Sequence, residues 1–91
     1  MTVTVRFFAY FRGLFGGRER ELTVGPAATV GEALRALADT PARRAELFVG
    51  DGLRPHLIVM LNGAPLPPAP GLDASLADGD TLAVFPLLGG G

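Results

Sequence analysis

From Thr2 to Phe11 the chain alternates, with Val3, Val5, Phe7 and Ala9 on one side and Thr2, Thr4, Arg6, Phe8 and Tyr10 on the other. Successive side chains of a strand point to opposite faces, so the pattern predicts a strand with one face turned to a core. Gly13, Gly16 and Gly17 supply turn conformations, and Arg18 to Val24 alternates charged residues with Leu22 and Val24, as the second arm of an antiparallel hairpin would. Gly25-Pro26 ends that arm. Thr29-Val30-Gly31-Glu32 then has capping-box spacing, in which Thr29 and Glu32 each satisfy a free backbone N–H at a helix start. The helix that follows puts Val30, Ala33, Leu34, Leu37 and Ala38 in one apolar stripe and turns Glu32, Arg35 and Asp39 away from it. Pro41 stops this helix, or restarts a short helical turn through Arg43 to Phe48.

After Gly50-Asp51-Gly52, the run His56 to Leu61 (HLIVML) is almost continuously apolar, which predicts a strand covered on both faces or central in its sheet. Asn62-Gly63 is a strong hairpin signal. A short strand around Ala64 to Leu66 gives way to a stiff loop of Pro65, Pro67, Pro68 and Pro70, unable to pair in a sheet. Thr81 to Phe85 forms the last strand after Asp78-Gly79-Asp80, read as a tight hairpin turn, and leads into Pro86-Leu87-Leu88-Gly89-Gly90-Gly91. One amphipathic helix covering one mixed sheet, reached by a right-handed crossover from the second strand, makes an α+β chain of β-grasp topology. The expectation is a single domain, residues 1–91, with a flexible C-terminal tail over 87–91.

Composition narrows the function. The chain has 91 residues, 48% of them hydrophobic, in runs that stay short of the roughly 20 needed to span a membrane. Its start has no secretory pattern, which points to the cytoplasm. Without cysteine it forms no disulfide, thiolate nucleophile or iron–sulfur site of its own, so sulfur handled here arrives on another group. Eight basic residues against nine acidic, with no basic stripe, argue against nucleic acid as a partner. All eight are Arg, so no lysine is present to accept an isopeptide bond or form a Schiff base.

Side-chain chemistry is sparse. His56 is the only histidine and Ser75 the only serine, neither with a suitable neighbour in sequence; Asp78 and Asp80 lack the rest of a calcium loop; Gly13, Gly16 and Gly17 precede a strand and no Gly-Lys-Ser/Thr. No metal site and no bound cofactor are expected. By elimination the chain reads as a substrate or partner of enzymes, and the tail offers the means. Leu87 to Gly91 reach up to about 17 Å when extended, and glycines without Cβ pass where side chains would be blocked. An α-carboxyl with a pKa of about 3.3–3.7 is an anion at neutral pH and a poor electrophile, so it needs activation. A partner using ATP to form an acyl-adenylate supplies that, and a sulfur donor displacing AMP would leave a thiocarboxylate on Gly91.

The stretches VRFFAYFRGLFG, TVGEALRAL, LIVMLNG and LADGDTLAVFPLLGGG, in this order over nearly the whole chain, resemble the small subunit of molybdopterin synthase within the ubiquitin-like sulfur-carrier family. That resemblance implies that an adenylating enzyme activates Gly91, next to Gly90. The thiocarboxylated tail then enters the large synthase subunit and delivers sulfur, received from a donor protein, to a pterin precursor. It also implies partner-facing roles for Phe8, Arg12 and Phe85 and for the tail residues Pro86, Leu87, Leu88 and Gly89. Gly89 departs from the bulkier residue common in the family, and Pro41 to Pro55 and the proline loop carry no family signature. Related carriers serve tRNA thiolation, thiazole synthesis or protein conjugation. A β-grasp interaction module whose terminus is never activated is the reading of a different class.

Overall fold

In the computed structural model, which describes residues 1–87, the opening alternation becomes β1 (Thr2–Phe7), with Val3, Val5 and Phe7 at most 1% exposed. β1 pairs antiparallel with β2 (Glu19–Thr23), Val3 opposite Leu22, as the hydrophobic pattern requires. The connection, however, is more than a glycine turn. Ala9 takes a left-handed φ of 55°, the alternation breaks, and Phe11–Phe15 wind into a short helix, α1. The helix buries Phe11 and Phe15 beside Phe7: the Phe7 and Phe15 rings stack at 4.6 Å, and Phe11 meets Phe15 edge-on at 5.6 Å. Burying two more rings overrides the extended conformation expected as far as Phe11, and Ala9 stays exposed instead of joining the core face.

The main helix, α2 (Val30–Leu37), starts where the capping signal lies, with the Thr29 hydroxyl accepting the Glu32 N–H at 3.2 Å. Val30, Ala33, Leu34 and Leu37 are wholly buried and Ala38 nearly so. α2 ends before Pro41, which instead opens α3 (Pro41–Leu47), capped by Thr40. β3 (Phe48–Val49) and β4 (Gly52–Leu53) form a two-residue-a-side hairpin around Gly50, too short to be read from a hydrophobic pattern.

β5 (Leu57–Leu61) turns through Asn62 (φ 51°) and Gly63 (φ 83°) into β6 (Ala64–Pro65). Pro65 therefore does pair, opposite Met60, because β6 is an edge strand and a missing N–H there costs no ladder bond. A 3₁₀ turn (Gly71–Asp73) precedes β7 (Thr81–Pro86). The sheet runs β2-β1-β7-β5-β6, with β7 in the middle, parallel to β1 and antiparallel to β5. This is the mixed five-stranded β-grasp sheet with helices on one face.

Two further expectations need correction. Asp78-Gly79-Asp80 closes no hairpin, since the strand it leads into runs parallel to β1. The turn is fixed by its carboxylates instead: Asp78 accepts the Thr2 N–H at 2.7 Å, and Asp80 accepts the Ala77 N–H at 2.8 Å and the Asn62 side-chain amide at 3.0 Å. β5 is interior to the sheet, paired with β7 on one side and β6 on the other, but it is not covered on both faces, because the helices pack on one side only; Val59 is buried while Leu57, Ile58, Met60 and Leu61 are half-buried. Among the described residues no helix is long and apolar enough to cross a membrane.

Candidate functional site: the open sheet face and the root of the tail

Strand register decides which side chains share the face away from α2. Arg6 lies beside Ala83 across β1 and β7, Met60 faces Ala83 across β7 and β5, and Ile58 faces Phe85. Phe8, just past β1, meets Phe85 edge-on with ring centres 5.5 Å apart. The open face thus carries an apolar stripe of Phe8, Phe85, Ile58, Met60 and Ala83, each half-buried.

Cations rim one end of that stripe. The guanidinium carbons of Arg6 and Arg12 lie 5.9 Å and 5.7 Å from the Phe8 ring centre, a favourable position over a negative π face. Arg12 Nε donates to the Phe7 carbonyl at 3.1 Å, which fixes its stem and leaves the head exposed. Arg6, Arg12 and Arg18 border one recess with Phe8 and Glu19, and among the described residues none of the three arginines enters an ion pair within 4.0 Å.

The same face leads to the tail. Phe85 is the last outward-facing residue of β7, Pro86 is half-buried, and the Leu87 N–H donates to the His56 carbonyl at 2.6 Å. Of the residues the sequence pointed to, Phe8, Arg12 and Phe85 come together here with Pro86 and Leu87; Leu88, Gly89, Gly90 and Gly91 lie outside the described residues. Ile58, Met60 and Ala83 were not singled out from the sequence, although an apolar run in a strand with one covered face was the signal for them.

On the other side of the root, Tyr10 Oη donates to Glu46 Oε2 at 2.9 Å, and Arg54 Nη1 bonds the same oxygen at 2.6 Å. Partial desolvation and the neighbouring Glu46 carboxylate raise the Tyr10 pKa above its ordinary 10.0, so the phenol keeps its proton. His56 is exposed at a left-handed φ of 68°, and Ser75 bridges Thr29 as backbone. Among the described residues no group of three or more His, Asp or Glu could hold a metal ion. What the arrangement offers is an apolar stripe with arginines at its border and the root of the tail at one end.

The chain belongs to the ThiS family of ubiquitin-like sulfur carriers, whose profile matches residues 5–91. Small archaeal modifier protein 3 of Haloferax volcanii is 37% identical over 92 residues, covering all of both chains. Small archaeal modifier protein 1 of the same organism is 39% identical over 88 residues, 94% of this chain and 97% of that one. A crystal structure of the latter protein aligns over the whole of both chains with a TM-score of 0.84 and 33% identity. A Pyrococcus furiosus protein assigned as molybdopterin converting factor subunit 1 is 26% identical with a TM-score of 0.73, over 94% of this chain and 97% of its own. A chain in the BexX/CysO complex of Amycolatopsis orientalis is 29% identical with a TM-score of 0.76, over 98% and 99% respectively.

Proposed function

We propose that this protein is a sulfur carrier and protein modifier whose Gly91 carboxylate is activated by an ATP-dependent adenylating enzyme. The carboxylate attacks the α-phosphorus of ATP, pyrophosphate leaves, and an acyl-adenylate forms. A persulfide on a donor protein then attacks the terminal carbonyl, AMP leaves, and a second thiol of the donor cleaves the resulting acyl disulfide, forming a disulfide on the donor and leaving a thiocarboxylate; hydrosulfide attack gives the thiocarboxylate directly. If an amine attacks instead, the same acyl group passes to a partner as an amide, which is the modifier arm of the activity. The observation that carries this reading is membership of a sulfur-carrier family together with identity to two small archaeal modifiers along nearly the full chain.

In this reading Gly90 and Gly91 enter the enzyme's active site and the open face holds the enzyme in place. Phe8, Phe85 and Ile58 supply apolar contact, Arg12 and Arg6 meet acidic groups on the partner, and Pro86, Leu87, Leu88 and Gly89 thread the gap between. The chain supplies neither a thiol nor a lysine, so the sulfur comes from elsewhere and lysine-linked chains of the protein do not form.

A second destination, sulfur delivery to a pterin precursor as the small subunit of molybdopterin synthase, is favoured by the likeness to the Pyrococcus protein and by the ending DGDTLAVFPLLGGG. The thiocarboxylate is common to both, and the large synthase subunit would be the additional partner. The experiment is intact mass after incubation with ATP, a sulfide source and host extract. Replacement of one terminal oxygen by sulfur, lost on deletion of Gly91, supports the carrier. An unchanged mass in extract that thiocarboxylates a known carrier returns the protein to a plain interaction module, and transfer to a pterin only with the large subunit present selects the second destination.

A further inference from the structure

Three large hydrophobic side chains of the described residues are more than half exposed: Tyr10 at 51%, Val49 at 62% and Leu87 at 53%. They come from α1's leading edge, the β3–β4 hairpin and the tail root, segments distant in sequence, yet all three line one groove of about 460 Å³. Pro55, His56 and the Glu46–Arg54 pair line it as well. This groove is not the open sheet face. The two surfaces meet only at the tail root, where Phe85 belongs to the sheet and Leu87 to the groove.

We infer that this groove is a second docking surface for the adenylating enzyme, which grips the carrier on both sides of the tail root; the inference rests on the carrier function proposed above. The length of the tail supports this occupant. From Leu88 to Gly91 there are four residues, which extend at most about 14 Å. An active site that reacts with Gly91 therefore has its mouth within that distance of Leu87, and the enzyme surface around the mouth lies over whatever surrounds Leu87. That surrounding is the groove. Its chemistry suits an aliphatic or aromatic side chain seated between Tyr10 and Val49, with a hydrogen-bonding group of the enzyme meeting Arg54, whose guanidinium uses Nη1 on Glu46 and is nearly half exposed.

Val49→Asp tests the groove without touching the sheet face, the tail or the core, because Val49 is exposed and lies in a two-residue strand. The readout is ATP–pyrophosphate exchange by the host adenylating enzyme, with the full-length carrier as the varied substrate and an unchanged urea midpoint confirming the fold. The expected result is a KM at least about tenfold higher with kcat within about twofold, the pattern of a lost docking contact, and near-normal KM for Val49→Ile. An unaltered KM in Val49→Asp overturns the groove while leaving the carrier intact. A raised kcat at constant KM also overturns it, since the groove would then hold something in the free protein, such as its own tail or a second copy. No exchange with the wild-type protein, when a known carrier supports it, removes the carrier reading and this inference with it.

Discussion

The two faces of the central strands differ by one residue in sequence and by everything in environment. On β1 and β7, Val5, Phe7, Leu82 and Val84 are at most 1% exposed, whereas Arg6, Phe8, Ala83 and Phe85 between or beside them face outward. β5 repeats the contrast, with Val59 buried and Ile58 and Met60 open. Polar residues would serve a solvated face at no cost to folding, yet much of this one is apolar. Leaving a large apolar side chain in water forgoes about 1.5–3 kcal/mol that burial would give. The inner set is explained by folding alone; the outer set is what the docking face proposed above requires.

The largest effect should come from the inner face. Leu82 lies in the middle strand with no exposure, so Leu82→Ala leaves a cavity that its packed surroundings close only in part. The expected loss is about 2–5 kcal/mol in urea unfolding, enough to depopulate the fold of a chain this small. Under conditions where the variant remains folded, its tail should still be activated. If Leu82→Ala unfolds no more easily than a surface variant, the covered face is not the core described here.

The outer face should show the reverse. Phe85→Ala gives up the edge-on contact with Phe8, about 1 kcal/mol of stability, while the partner loses an apolar anchor, and affinity for the adenylating enzyme should fall by about tenfold to a hundredfold. Calorimetric titration against the enzyme, beside urea unfolding of the same variant, reads both quantities. A variant that loses several kcal/mol of stability and no affinity would erase the distinction between the faces.

That distinction also explains which parts of the fold were legible in the sequence. The inward positions of β1 and α2 read correctly because folding is the only demand on them: Val3, Val5 and Phe7 at period two, and Thr29 capping a stripe from Val30 to Ala38. LIVML misled because its apolar positions answer two demands, Val59 to the core and Ile58 and Met60 to the open face, so continuous hydrophobicity did not mean burial on both sides. α1 was missed because period two ran on through Phe8 and Tyr10, although Phe7, Phe11 and Phe15, spaced four apart, carried the helical signal. The β3–β4 hairpin is too short for any periodicity. For the site, motifs pointed to Phe8, Arg12 and Phe85, which the fold brings together, and to a tail that passes beyond the described residues after Leu87; the groove at Tyr10, Val49 and Leu87 was not legible, since only the fold brings those segments together.

The smallest effect sharpens the comparison at the rim of the covered side, where charge rather than apolar area is at work. Asp39 accepts a hydrogen bond from Arg43 Nη1 at 2.7 Å, with Arg20 at 3.9 Å, and Arg43 in turn donates through Nε to the Leu14 carbonyl and lies over the Phe15 ring. The Arg43 hydrogen bond leads in holding the Asp39 pKa below its ordinary 3.8, partly opposed by desolvation. A carboxyl whose pKa is depressed on folding stabilises the fold fully above its unfolded value, and that contribution disappears as pH falls through the folded value. The pair is exposed, so the effect should be small and screened by salt. Urea midpoints of wild type and Asp39→Asn should therefore differ by a small, constant amount above about pH 5 and converge as the pH falls below the ordinary 3.8 and through the depressed folded value. A gap that persists at acid pH would mean that the amide substitution disturbs the α2–α3 junction itself, and that Asp39 acts there by shape and not by charge.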